Sequence, residues 1–161
     1  MAKNKGTEAV EATEQDSAVR VYELGFHLDP ELPTEEVKKA YQAVRSVIEE
    51  QGTLVAEGEP EKIQLAYTIS RQDTTGRRDF DSAYFSWIAY EAAVEGHDAI
   101  LSAAGAEKRI IRFIDVLTTK DAARHAVEMR ELAQKTQEQS AEDTEASQNA
   151  ELDAALESAV I

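Results

Sequence analysis

Four segments of this chain carry apolar residues at two-residue spacing, and two helical segments separate them. In the first, RVYELGFHL, the residues Tyr22, Leu24, Phe26 and Leu28 fall on one face. Successive side chains of a strand point to opposite faces, so this spacing predicts a strand with one buried face. The whole series runs strand, helix, strand, strand, helix, strand, and that order restricts the chain to few folds.

The first helical segment begins at Thr34, a good N-cap residue. Glu35 and Glu36 follow it, and carboxylates there favour the positive end of a helix dipole. Apolar residues then recur at spacings of three and four residues, and Gly52 is placed to end the helix. They are Val37, Ala40, Tyr41, Val44, Val47 and Ile48.

Two further strands are predicted on either side of RQDTTGRRD, which is interpreted as a loop. The first consists of TLVAE and KIQLAYTIS, bent or interrupted at Gly58 and Pro60. The second, FDSAYFSWIAYEA, is apolar on both faces at its centre, which is typical of an interior strand. In KIQLAYTIS the alternating apolar residues are assigned to the helix-covered core; they are Ile63, Leu65, Tyr67 and Ile69.

A short helix over residues 98–104, ended by Gly105, and a last strand in RIIRFIDVLTTK complete the series. The order predicts an α+β fold of the ferredoxin-like, split βαβ type (βαββαβ) over residues 19–120. Its four-stranded antiparallel sheet is covered by two helices on one face. The other face remains available to a partner.

Two flanking segments lie outside this domain. Residues 1–18 have no apolar periodicity and are predicted to form a flexible arm. Residues 121–161 are predicted to be an acidic tail, partly helical or disordered, with SAEDTEASQN as a solvated linker. Its end is either a frayed tail or a short docking helix, because five apolar residues share one helical face. They are Leu152, Ala155, Leu156, Ala159 and Val160.

Charge and composition exclude several classes of protein. The formal net charge is −15, but residues 19–120 hold 12 basic and 18 acidic residues, so the domain is only mildly acidic. There is no Cys, which excludes disulfides and thiolate chemistry. No apolar run is long enough to span a membrane, and the N-terminus has no secretory signal pattern, so we expect a cytoplasmic protein.

The sequence predicts neither an enzyme nor a metal or cofactor site. His27, His97 and His125 have no metal-ligand spacing and are interpreted as surface or sheet-face residues. No nucleophile motif or phosphate loop occurs, so no catalytic residue and no small-molecule substrate are expected. An acylphosphatase-like enzyme would need an Arg in a phosphate loop before the first helix, where DPELPTEEV offers acids and prolines.

Basic residues lie at strand ends, with aromatic residues between them. Such clusters can bind phosphates and position a protein on RNA. The alternative is that they are surface charges neutralised by nearby acids. The candidate RNA- or partner-binding residues are Arg20, Lys62, Gln64, Arg71, Arg109, Arg112 and Lys120.

Four segments together resemble the bacterial small-subunit ribosomal protein S6 family. VYELGFHLDPELPTEEV resembles its opening Tyr-Glu strand, turn and helix. QLAYTI is similar to its Gln/Arg-Leu-Ala-Tyr-Pro-Ile motif, AYFSWIAYEA to its aromatic third strand, and RIIRFIDVLTTK to its closing strand. The segments occur in the family's order over residues 19–120.

The resemblance implies a structural constituent of the small ribosomal subunit. Such proteins pair with ribosomal protein S18 and bind the central domain of small-subunit ribosomal RNA. By position, Lys62 corresponds to one of the family's paired arginines, and Arg71 to the basic residue after that strand. Arg112 corresponds to the arginine of the closing motif, and Lys120 lies near its final basic residue.

The sequence departs from the family pattern at the basic pair. Ile63 replaces its second arginine, and Thr68 replaces its proline. Each lost phosphate contact lowers the salt slope of RNA binding by about 0.7–0.9. The alternative function is therefore a ferredoxin-like interaction or regulatory module that has lost RNA binding.

Overall fold

The computed structural model describes residues 18–159. The predicted arm therefore lies outside the described residues, apart from Ala18, as does Val160. The elements are β1 (Arg20–Leu28), α1 (Thr34–Gln51), β2 (Gly52–Asp73), β3 (Gly76–Ala92), α2 (Val94–Ala106), β4 (Ile110–Thr118) and α3 (Lys120–Ser158). All strand pairs are antiparallel, in the order β2-β3-β1-β4. The predicted ferredoxin-like fold is confirmed.

The core lies between the two helices α1 and α2 and the face of the sheet that they cover. Leu24 and Phe26 of β1 and Ile88 of β3 are fully buried there. β3 pairs with both β1 and β2, so its prediction as an interior strand is confirmed. The other fully or nearly fully buried residues of this cluster include Leu28, Val37, Ala40, Tyr41, Val44, Ile48, Tyr90, Ile100 and Ala104.

The prediction of a loop at RQDTTGRRD, between the second and third strands, is wrong. β2 continues to Asp73 and β3 begins at Gly76, so only Thr74 and Thr75 separate them. Gly76 has a φ of 124°, a backbone conformation that glycine adopts without steric cost. The Arg-rich segment RQDTTGRRD therefore forms the tip of a long hairpin.

The assignment of Ile63, Leu65, Tyr67 and Ile69 to the helix-covered core is also wrong. Tyr67 is 63% exposed, and the other three are only partly buried. Leu54 is the one residue of β2 that packs against the main core, and it is only partly buried. The outer half of the hairpin thus extends past the apolar layer under the helices.

Helix α2 is longer than predicted and carries a histidine on its buried side. It runs through Gly105 to Ala106, so Gly105 does not end it. His97 is largely buried rather than on the surface or a sheet face, because its ring stacks on Tyr22 with centroids 3.7 Å apart. Its Nδ1 lies 3.0 Å from the Tyr90 hydroxyl and its Nε2 lies 3.3 Å from Asp115. Burial raises the pKa of the Asp115 carboxyl, and its contacts with His97 and the Tyr90 hydroxyl oppose that effect.

The chain divides into two units at residues 123 and 124. The second unit consists of the greater part of α3, whose side chains are exposed from residue 128 onward. The prediction of SAEDTEASQN as a solvated linker is wrong, because the segment is part of helix α3. The segment contains no Gly or Pro, and half of its residues are Ala, Glu or Gln, which favour helix. In the part of the chain that the structure describes, no helix is both long and apolar enough to cross a membrane.

Two glycines of α2 provide a matched test of how the helices pack. A Cβ at Gly96 would lie 2.5 Å from the carbonyl oxygen of Gln51, the last residue of α1, whereas one at Gly105 would meet nothing within 4 Å. We expect Gly96→Ala to lower the free energy of unfolding by about 1–3 kcal/mol, because two backbones must separate.

Gly105→Ala is the control and should raise the free energy of unfolding by about 0.5–1 kcal/mol through helix propensity alone. Urea unfolding measures both values. Equal effects of the two substitutions would contradict the close approach of α2 to α1.

Candidate RNA- and partner-binding surface

The sheet face opposite α1 and α2, called here the open face, carries an apolar centre. Antiparallel pairing places Gly25 of β1 between Trp87 of β3 and Ile114 of β4. A Cβ at Gly25 would lie 3.5 Å from both Ile114 and Phe85, so these side chains close over the glycine. Gly25 and Trp87 are buried, whereas Ile114 is 63% exposed, so the accessible part of the open face lies on its β4 side.

Arg112 lies beside this apolar centre. It pairs with His27 across β1 and β4, and its Nη1 donates a hydrogen bond of 2.7 Å to the Tyr67 hydroxyl. Burial lowers the pKa of His27, and the charge of Arg112 lowers it further, so the imidazole is held neutral. The His27 ring lies 5.6 Å from the Phe85 ring. An exposed guanidinium, a phenol and an uncharged imidazole therefore share one region.

Lys62 and Gln64 lie on the hairpin, with an orientation opposite to the one predicted. Lys62 pairs with Tyr84 and its Nζ lies 5.8 Å from the centre of that ring, which packs against the helical core. Gln64 donates a hydrogen bond of 2.8 Å to the Asp81 carbonyl. Lys62 and Gln64 therefore share the face that the helices cover, and Ile63 belongs to the open face.

The β-bulges of β2 are not the cause of this orientation. The pairing register shifts between Leu54 and Ala56, between Gly58 and Glu61, and between Gln64 and Ile69. A slip by an odd number of residues moves all later side chains to the opposite face, so the first two bulges cancel and Lys62 lies on the same face as Leu54. Gly58 leaves room for the Trp87 ring, because a Cβ there would overlap with the indole nitrogen.

Arg71 fastens the hairpin to the start of β4. Its guanidinium donates hydrogen bonds to the carbonyls of Ile110, at 2.5 Å, and Lys108, at 3.2 Å. The neighbouring Arg78 donates to Asp29 at 2.9 Å and lies over the Phe80 ring at 4.8 Å. These arginines connect segments that are distant in sequence, so their first role is structural.

Arg109 and Lys120 are held by carboxylates. Arg109 forms a two-pronged contact with Glu107, at 2.8 and 3.0 Å, and a third with Glu36 at 3.2 Å. This pairing lowers the pKa of Glu107 and raises that of Arg109. Lys120 lies 2.5 Å from Glu91. Any anionic ligand at either position must compete with an ion pair already formed.

The seven predicted residues do not form one patch. Arg20 and Lys120 lie where β1 begins and β4 ends, whereas Arg71 and Arg109 lie at the opposite end of the sheet. Arg112 is the one of the seven that lies on the open face beside exposed apolar side chains. Sequence reasoning missed Tyr67 and Ile114 as surface residues, although Ile114 alternates with Arg112 and Gly25 signals a close approach.

Comparisons with known proteins agree with this architecture. A sequence model of the family "Ribosomal protein S6" matches residues 21–116, from β1 into β4. The 30S ribosomal protein S6 of Thermotoga maritima superposes with a TM-score of 0.50 at 18% identity, over 74% of this chain and 99% of that one.

An uncharacterized protein of Thermotoga maritima matches less well, with a TM-score of 0.34 at 12% identity, over 63% of this chain and 100% of that one. No curated protein matches the sequence. The family match spans all four strands and both covering helices, and it includes more than half of the chain. The chain therefore belongs to the ribosomal protein S6 family of small-subunit ribosomal proteins.

Proposed function

We propose that this protein is a structural constituent of the small ribosomal subunit in the cytoplasm, where it binds small-subunit ribosomal RNA together with ribosomal protein S18. The observation that carries the proposal is the family match over residues 21–116. It includes the strand segments that carry Lys62, Arg71 and Arg112. The role is non-enzymatic and needs no cofactor.

The open face supports this proposal through its chemistry. Proteins recognise unpaired RNA by stacking bases on aromatic rings and arginine planes, and they place phosphates against cations. Arg112 and the exposed Tyr67 provide such groups. The adjacent Ile114 provides apolar contact area for a protein partner. The acidic net charge of the chain would steer a basic partner such as S18 towards it.

The alternative is an interaction or regulatory module that has lost RNA binding. The ion pairs of Arg109 and Lys120 favour it, because each neutralises a cation predicted to contact RNA or a partner. The two functions differ in one respect that can be measured. Adding S18 raises the affinity for ribosomal RNA only if the first proposal is right.

The first prediction concerns the ribosome itself. This chain should cosediment with small subunits through a high-salt sucrose gradient, in an amount close to one copy per subunit. Quantitative mass spectrometry of the fractions measures that ratio. Its absence from the small-subunit peak would exclude the proposed function.

Arg112 provides a sharper test of the open face. Arg112→Gln should weaken binding to a central-domain RNA fragment in the presence of S18. It should also reduce the slope of log K against log salt by about 0.7–0.9 if it removes one phosphate contact. Filter binding at several salt concentrations measures the slope.

Lys38→Gln is the matched control, because it removes one positive charge from the exposed surface of α1, on the other side of the sheet. Its slope should equal that of the unmodified chain. An equal loss in both variants would mean that net charge, rather than the open face, determines binding.

Arg71 should behave differently from Arg112. Arg71→Ala leaves two carbonyl groups without their donor, so the free energy of unfolding should fall by about 1–3 kcal/mol. Arg77→Ala, in the same hairpin, removes an exposed ion pair and should change it by less than about 0.5 kcal/mol. Thermal unfolding of both variants checks the contrast, and an unchanged stability of Arg71→Ala would contradict the structural role.

A further inference from the structure

β4 is an edge strand whose outer side pairs with no strand among residues 18–159. Its nine residues, Ile110–Thr118, bond to β1 on the inner side alone. The outer backbone N–H and C=O groups thus form a row that can accept another strand. Natural proteins usually protect such an edge with charges, proline or a covering segment.

The side chains of β4 add to this exposure instead of protecting it. Ile114 and Val116, on the open face, are 63% and 42% exposed, and Leu117, on the other face, is 66% exposed. Apolar groups thus project on both faces of one edge strand. Single exposed apolar residues are ordinary, but three on one strand indicate an interaction surface.

The two charged residues of β4 are directed into their own domain. Arg112 donates to the Tyr67 hydroxyl of the hairpin. Asp115 contacts His97 of α2 and the Tyr90 hydroxyl of β3. In the single chain both charges therefore already have partners within their own domain.

We propose that the occupant of this edge is β4 of a second copy of the chain, joined antiparallel about a twofold axis to form a continuous eight-stranded sheet. A twofold interface uses the same surface on both partners, so the residues of β4 must pair favourably with those of an identical strand. Opposite residues must also share a face. One register that meets this condition places Asp115 opposite its own copy, and the two carboxylates would repel.

The neighbouring register avoids that repulsion and supplies charge complementarity. It places Ile114 opposite its own copy and Arg112 opposite Val116 of the second copy. Val116 pairs within its own chain with Glu23 of β1, on the open face. Arg112 of one copy, Val116 of the second copy and Glu23 of the second copy then lie in one row across the sheet. Arg112 and Glu23 can form an ion pair over Val116, and the twofold axis gives the dimer two such pairs. To do so Arg112 exchanges its Tyr67 hydroxyl contact for a carboxylate.

This interface concerns the free chain and goes beyond the proposed ribosomal role. It needs neither RNA nor S18, so it can be tested without either. Sedimentation equilibrium of the full chain should give a reversible dimer, with twice the 17.8 kDa mass of one chain. A chain that stays monomeric would exclude the second copy and leave the edge to a strand of another protein.

Ile114→Lys is the first variant, because it places two lysines opposite each other on the axis. Like charges at opposite positions destabilise a strand pair, so the dissociation constant should rise at least about tenfold. Leu132→Lys is the control, since Leu132 lies on α3 with a similar exposure of 60% and takes the same change of charge. It should leave the dimer intact. Dimer loss in the control alone would assign the contact to α3 and overturn the proposal.

Charge reversal provides an independent test that does not depend on Ile114. Arg112→Glu and Glu23→Arg should each weaken the dimer by about tenfold, and the double variant should restore most of that loss. Thermal unfolding establishes that each monomer remains folded. Additive losses in the double variant would refute the pairing of Arg112 with Glu23 and hence this register.

Discussion

The covering of one face of the β1–β3 pair by α1 and α2 is the constraint on which the rest of this structure depends. Leu24, Phe26 and Ile88 are fully buried beneath α1 and α2. Each such side chain contributes about 1.5–3 kcal/mol on burial, whereas a surface ion pair contributes about 0–1 kcal/mol. The apolar layer therefore contributes most to holding the sheet together, and Arg71 adds the link from the hairpin to the start of β4. The same one-sided cover leaves the open face without a helix of its own.

The order of elements could be predicted because its signals are local. The spacing of two in RVYELGFHL and of three and four after Thr34 depends only on how side chains project from a strand or a helix. The interior position of β3 followed in the same way from apolar residues on both of its faces. Helix α2 was predicted too short at both ends: it begins at Val94 instead of residue 98, and it continues past Gly105, which lies on an exposed side where nothing contacts it.

The side on which each hairpin residue lies could not be predicted. Alternation gives two sets of side chains but does not say which set faces the helices, and the apolar set was assigned to the helix-covered face. Lys62 and Ile63 were therefore assigned to the wrong faces. The partners of the ion pairs also could not be predicted, because some of them are distant in sequence. The contact of Arg109 with Glu107 is local, but Glu36 lies 73 residues away in sequence.

Arg112 belongs to both of the proposed binding surfaces. It lies on the open face beside Ile114, and it belongs to the edge strand β4. A guanidinium that contacts RNA or a partner on the open face is not available to a carboxylate across the β4 edge. The two uses are therefore mutually exclusive at this residue. By mass action, a ligand that binds one form withdraws chain from the other, so binding to RNA and S18 would dissociate a β4-paired dimer. Self-association would then shield the apolar edge of the free chain, and assembly would release it.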